Sequence, residues 1–219
     1  MAAGLLVVGC SGSSTASRHA AAVERARPVG PEAEVSPGED LMQEHGVLER
    51  VLLIYGEASH RIEQVHPLDL AIIKQAAQLV RHFVEDYHEQ NEEDFIFPRL
   101  EKAEREVALI AILRQQHARG RELTDDIIRI AGTGPADAAL GTKLRAFERM
   151  YRPHAAREET VLFPAFRHVI GGAGYRELGE QLEQREIERF GAHGFDEVVG
   201  EVARLEAALA IDDLTRMTP

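Results

Sequence analysis

The chain has 219 residues, a net charge of −12 and 44% hydrophobic residues. That is enough apolar material for one sizeable core, while the acidic balance argues against a nucleic-acid groove, which needs a basic stripe. A single cysteine excludes an internal disulfide framework and a Cys-rich metal site, and no apolar run reaches the roughly 20 residues of a membrane span.

Residues 1–37 read as an unstructured N-terminal segment rich in Ser, Gly, Ala and Arg, with Pro28, Pro31 and Pro37. Within it, Leu5-Leu6-Val7-Val8-Gly9-Cys10 followed by Ser11-Gly12-Ser13-Ser14 resembles a bacterial lipoprotein cleavage box. On that reading Cys10 carries a lipid anchor and the protein sits on the periplasmic side of the cell envelope. No basic residue precedes the short apolar run. With an incidental cysteine the expectation is a cytoplasmic protein.

Ser36-Pro37-Gly38-Glu39 is a helix start: Ser as cap, Pro at the first position, Glu at the third. The first helix is expected to run to about Val65, with Leu41, His45, Leu48, Leu52 and Tyr55 on one face, before His66-Pro67 breaks it. A second is expected from Leu68 to about Pro98, and a third from Arg105 to Ile130. Asp137 caps a fourth that reaches Pro164. Gly171, Gly172 and Gly174 read as a linker. Two shorter helices follow, over 175–190 and 194–210, and the heptad-like spacing of Val198, Val202, Leu205 and Leu209 suggests a lid or an oligomer face. The fold class is therefore all-α: an up-down-up-down four-helix bundle over 38–170 with additional C-terminal helices over 171–219.

The chain repeats itself. His88-Glu89-Gln90-Asn91-Glu92-Glu93 leads into Ile96-Phe97-Pro98, and His154-Ala155-Ala156-Arg157-Glu158-Glu159 leads into Leu162-Phe163-Pro164. Upstream of each copy stand Leu41-x-Gln43-Glu44-His45 and Leu113-x-Gln115-Gln116-His117. On a helix, positions i and i+4 share a face, so His88 projects with Glu92 and His154 with Glu158. With His45 and His117 from the partner helix of each half, the candidate metal ligands are His45, His88, Glu92, His117, His154 and Glu158. Glu93 and Glu159 leave the acid register open by one residue. Imidazole and carboxylate without thiolate suit iron, manganese or zinc, and two carboxylates can bridge two ions. Glu44, Glu85 and Asp86 are candidate acceptors for ligand imidazoles. A rival dimetal frame, Glu57-x-x-His60 with Glu85-x-x-His88, has no counterpart in the second half.

The doubled motif resembles the hemerythrin family, the His-His-Glu cation-binding domain, over about residues 38–168. The resemblance implies two iron ions in an oxygen-bridged non-haem centre inside a four-helix bundle. It further implies binding of oxygen or related ligands (NO, peroxide) for sensing, storage or redox protection. The alternatives are a di-iron oxidoreductase and an iron store without redox turnover. Oxygen-carrying members have a second histidine one turn along the third helix; here that position is Arg121, with Tyr55, Tyr87 and Tyr151 as candidates to fill the gap.

Overall fold

The computed structural model describes residues 36–218, together with Met1. The expectations for Cys10 and for most of the N-terminal segment lie outside the described residues. Among the described residues all regular structure is helical.

Helix α1 spans Pro37–Glu63 and is held at its start by the expected reciprocal cap. The Glu39 N–H donates to Ser36 Oγ at 3.4 Å, and the Ser36 N–H donates to the Glu39 carboxylate at 3.1 Å. Helix α2 (70–102) is capped by Asp69, which accepts from the Ala71 N–H. Helix α3 spans Val107–Thr133. Helix α4 (138–170) starts under the side chain of Asp137, which accepts from Ala139 and Leu140. Gly171, at φ 66° and ψ 174°, interrupts the helical run that continues to Phe190, and α5 takes up 172–190. Helix α6 spans Gly194–Ala208. Of the glycines expected to form a linker, only Gly171 leaves helical geometry; 172 and 174 are helical.

The two Phe-Pro sequences do not end their helices. Proline lacks an N–H and its ring excludes the carbonyl four residues back, which ordinarily breaks a helix. Here a widened π turn precedes each one: Glu92–Ile96 before Phe97-Pro98 and Glu158–Leu162 before Phe163-Pro164. The Phe97 N–H bonds back five residues to the Glu92 carbonyl, and the Phe163 N–H does the same to Glu158. Each proline then falls in the first turn of the next α segment, where no N–H is required. A further π stretch, Val80–His88, lies in α2 upstream of the motif. Pro153 is accommodated inside α4 without ending it.

Helix α1 packs along α4, and α3 packs against both α2 and α4. Apolar side chains collect in two clusters. The first holds Val51, Leu52 and Tyr55 of α1, Phe83 and Tyr87 of α2, Leu123 and Ile127 of α3, and Phe147 and Tyr151 of α4. The second holds Leu41, Ile96, Phe97, Leu113, Leu162 and Phe166. Each buried side chain of this size contributes about 1.5–3 kcal/mol. The order of the clusters alternates along the chain: α1 passes from second to first, α2 from first to second, α3 from second to first, α4 from first to second. Between the clusters each helix contributes buried polar groups, His45, His88 to Glu92, His117, and His154 with Glu158.

The C-terminal helices join both clusters. Leu178 and Leu182 of α5 cover the second, while Val198, Val202, Leu205 and Leu209 pack into the first. The heptad-like apolar face of α6 is thus buried within the protomer against α1 and α2.

Candidate metal centre

The polar layer between the clusters brings together all six candidate ligands, none more than 3% exposed. His45, His88, Glu92 and Glu158 each offer a ligand atom within 4.8 Å of the others, and Glu92, His117, His154 and Glu158 form a second such group. Both glutamates belong to both groups. The first half of the repeat supplies the imidazoles of one group and the second half those of the other.

All four imidazoles turn Nε2 inward. His45 Nε2 lies 3.4 Å from Glu158 and His88 Nε2 lies 3.8 Å from Glu92. His117 Nε2 is 3.4 Å from Glu92 and 4.0 Å from Glu158, and His154 Nε2 is 3.0 Å from Glu158.

Each Nδ1 meets an oxygen acceptor on the outer side. His88 Nδ1 is 2.5 Å from Glu44, and His154 Nδ1 is 2.9 Å from the amide oxygen of Gln116. His45 Nδ1 is 3.2 Å from Glu159, and His117 Nδ1 is 2.8 Å from Glu93. An acceptor at Nδ1 places the proton there and leaves the Nε2 lone pair for a metal. The acid register is thereby resolved: Glu92 and Glu158 face inward, while Glu93 and Glu159 hold imidazoles. Of the expected acceptors Glu44 serves. Glu85 instead accepts from Thr124 at 2.5 Å and pairs with Arg81 at 2.7 Å. Asp86 lies by the exposed His82 at 3.9 Å. Gln116, Glu93 and Glu159 were not foreseen as acceptors, although each stands next to a candidate ligand in the sequence.

The rival frame does not assemble: Glu57 pairs with Arg61 and His60 is exposed. His66, His82, His168 and His193 are exposed as well. Arg121 pairs with Glu89 and Glu93, each at 3.0 Å. Tyr151 donates its hydroxyl to Glu89 at 2.5 Å, and Tyr55 and Tyr87 sit in the first apolar cluster. Glu89, Glu93 and His117 form a third group of ligand-type atoms, over which Arg121 already lies.

The electrostatics are those of a site built around positive charge. Burial, then the nearby Glu158 carboxylate, pushes Glu92 well above the ordinary carboxylate range. Burial would raise Glu158 too, but His154 and His45 hold it low. Burial works against a charge on His45, yet Glu158 and Glu159 raise it to about 9. Burial drives His88 well down and His117 to about 4. Without a cation, both oxygens of Glu92, both of Glu158, and the Nε2 atoms of His45 and His117 are buried with no hydrogen-bond partner. Such groups each cost about 1–3 kcal/mol, and a pair of divalent ions would satisfy them all. The residues fit a two-metal centre.

Residues 36–166 match the family described as the hemerythrin HHE cation binding domain. Similar relatives are uncharacterised proteins of Mycobacterium bovis and Mycobacterium tuberculosis, each 42% identical over 193 residues that cover 86% of this chain and 76% of the relative. No solved structure gives a significant match.

Proposed function

Since this chain belongs to the hemerythrin HHE cation-binding domain family, we propose that it is a non-haem di-iron protein that binds oxygen or a related small ligand such as NO or peroxide. The observation that carries this reading is the set of partnerless Nε2 and carboxylate atoms facing one another in the polar layer. His45 and His88 would hold one ion and His117 and His154 the other, with Glu92 and Glu158 within reach of both. Iron held by these side chains would supply reversible ligand binding or electron transfer. The alternation of the clusters along α1 to α4 supports an up-down-up-down bundle around this layer. The surrounding apolar clusters exclude bulk water from it.

Arg121 favours an enzymatic variant of this reading. Where an additional imidazole would otherwise stand one turn after His117, the chain places a guanidinium bound to two acids. Beyond His117, α3 thus offers no second imidazole to the His117/His154 group, which would suit turnover of peroxide or NO.

Elemental analysis of purified protein tests the metal, with about two irons per chain expected. Oxygen added to the reduced protein then gives an absorption band. Reversal of the band on deoxygenation supports binding, and turnover of peroxide or NO lost in His117→Ala and Glu158→Ala supports the enzyme. Neither behaviour above that of free iron removes both.

A further inference from the structure

The repeat is symmetric in its ligands and asymmetric in the groups behind them. His45 corresponds to His117, His88 to His154, Glu92 to Glu158 and Glu93 to Glu159. The exception is the residue preceding the first histidine of each half, Glu44 in one and Gln116 in the other. Glu44 is buried and lies 2.5 Å from His88 Nδ1. Gln116 lies 2.9 Å from His154 Nδ1 through a neutral amide oxygen.

The other pair of acceptors adds to the imbalance. Glu159 serves His45, and among the described residues no Lys or Arg pairs with either Glu159 or Glu44. Glu93 serves His117 but shares the same oxygen with the Arg121 guanidinium at 3.0 Å. A carboxylate behind an imidazole makes Nε2 a stronger donor; an amide does so less, and a carboxylate already neutralised by arginine less than a free one. One half of the site is therefore backed by two carboxyl groups that no Lys or Arg among the described residues neutralises, the other by an amide and by two acids, Glu93 and the more distant Glu89 at 4.0 Å from His117 Nδ1, that both pair with Arg121.

We propose that the two metal positions are unequal by construction: the His45/His88 position fills first and holds its ion more tightly, and the His117/His154 position is the weaker and more exchangeable one, with Glu44 and Gln116 as the positioning residues that set the difference. This rests on the two-metal reading above and goes beyond it. It assigns the labile ion to the half that also carries Arg121.

Anaerobic calorimetric titration of the metal-free full chain with ferrous iron tests the assignment. The wild type is expected to take up two ions in two steps about tenfold or more apart. The shared glutamates alone would separate the steps even in a symmetric site, so the direction of change in variants decides. Gln116→Glu strengthens the weaker position and draws the two steps together, chiefly by tightening the second. Were the positions equal in the wild type, the same substitution would drive the steps apart by tightening the first. Glu44→Gln, which adds no charge, weakens the first step and again narrows the gap, whereas equal positions would again separate. Melting curves of both metal-free variants confirm folding. Two ions entering in one step, or steps that diverge in either variant, overturn the inequality and leave the two-metal reading standing. No uptake, or uptake unaffected by His88→Ala, overturns both.

Discussion

His117 Nδ1, on α3, lies 2.8 Å from a carboxylate oxygen of Glu93, on α2, so a histidine of the second half is held by an acid of the first. The converse contact joins His45 of the first half to Glu159 of the second at 3.2 Å. These crossed contacts bind the halves to one another through the site. Glu93→Ala and Glu159→Ala are each expected to lower metal affinity about 10–100-fold, because the freed imidazole loses both orientation and donor strength. Competition with a chelator measures it, with the change of exposed Glu180 on α5, Glu180→Ala, as reference; an affinity equal to that reference would refute the role.

Glu92 carries a different expectation. In the metal-free chain its two oxygens are fully buried without partners. Replacing it by Leu, close in volume, removes that penalty. The metal-free protein should gain about 1–3 kcal/mol, and each kcal/mol in a domain of this size raises the melting temperature by about 2–4 °C. The same change should abolish binding of the second ion. Melting in excess chelator, compared with melting after iron loading, separates the effects; a Glu92→Leu chain that melts lower than wild type in chelator contradicts the account.

The helices and the six inward side chains were legible because both follow from period and repetition. A cap at Ser36, a break at His66-Pro67 and the one-turn spacing of His88 with Glu92 are local features, and local features survive folding. The one-turn spacing favoured Glu92 and Glu158 as the inward acids, but what Glu93 and Glu159 do was not legible, since it depends on which imidazoles pack behind them. The π turns were hidden for a related reason: proline was read as a stop, but a widened turn before it lets the helix continue, with Phe97 and Phe163 buried beside it. Gln116 escaped notice because an amide has no charge to advertise a metal site; only its repeat partner Glu44 betrays it. The burial of α5 and α6 depends on tertiary contacts that an apolar stripe alone does not distinguish from an oligomer face.

The metal-free protein and its metal affinity should respond to pH in opposite directions. Burial, then neighbouring acids, lifts Asp40 to about 7, and burial lifts Glu44 to about 8 and Glu89 to about 8. His45 stands at about 9, with burial opposed and outweighed by Glu158 and Glu159. Between pH 6.5 and 8 the folded chain therefore holds protons that the unfolded chain has released, so stability falls as pH rises. His88 and His117, driven down by burial, are neutral in the folded chain, so they oppose this slope near pH 6.5, where unfolded histidine still holds part of a proton, and drop out as the pH approaches 8. Metal uptake must displace protons from His45 and Glu92, so affinity rises over the same interval. Melting in chelator and iron titration, each at pH 6.5 and 8, check the two slopes; parallel slopes would contradict the proton assignment.

Gly120 and Gly46 offer a paired test of how closely the helices approach beside the site. Both lie inside helices, where Gly→Ala ordinarily stabilises by up to about 1 kcal/mol. At exposed Gly46 an added methyl meets nothing within 4 Å, so Gly46→Ala should raise the melting temperature. At buried Gly120 the methyl would collide with the ring and hydroxyl of Tyr151. That ring has little room to move: it stacks on Phe147 with centroids 4.3 Å apart, lies 5.3 Å from the ring of His154, and donates to Glu89 at 2.5 Å. Overpacking at such a place costs about 1–3 kcal/mol, so Gly120→Ala should reverse the usual sign. Displacement of Tyr151 would also disturb His154, and iron affinity should fall with stability. Thermal melts of both variants with an iron titration of Gly120→Ala decide the matter. Equal stabilisation by the two substitutions would mean that α3 and α4 can separate at this level without cost to the site.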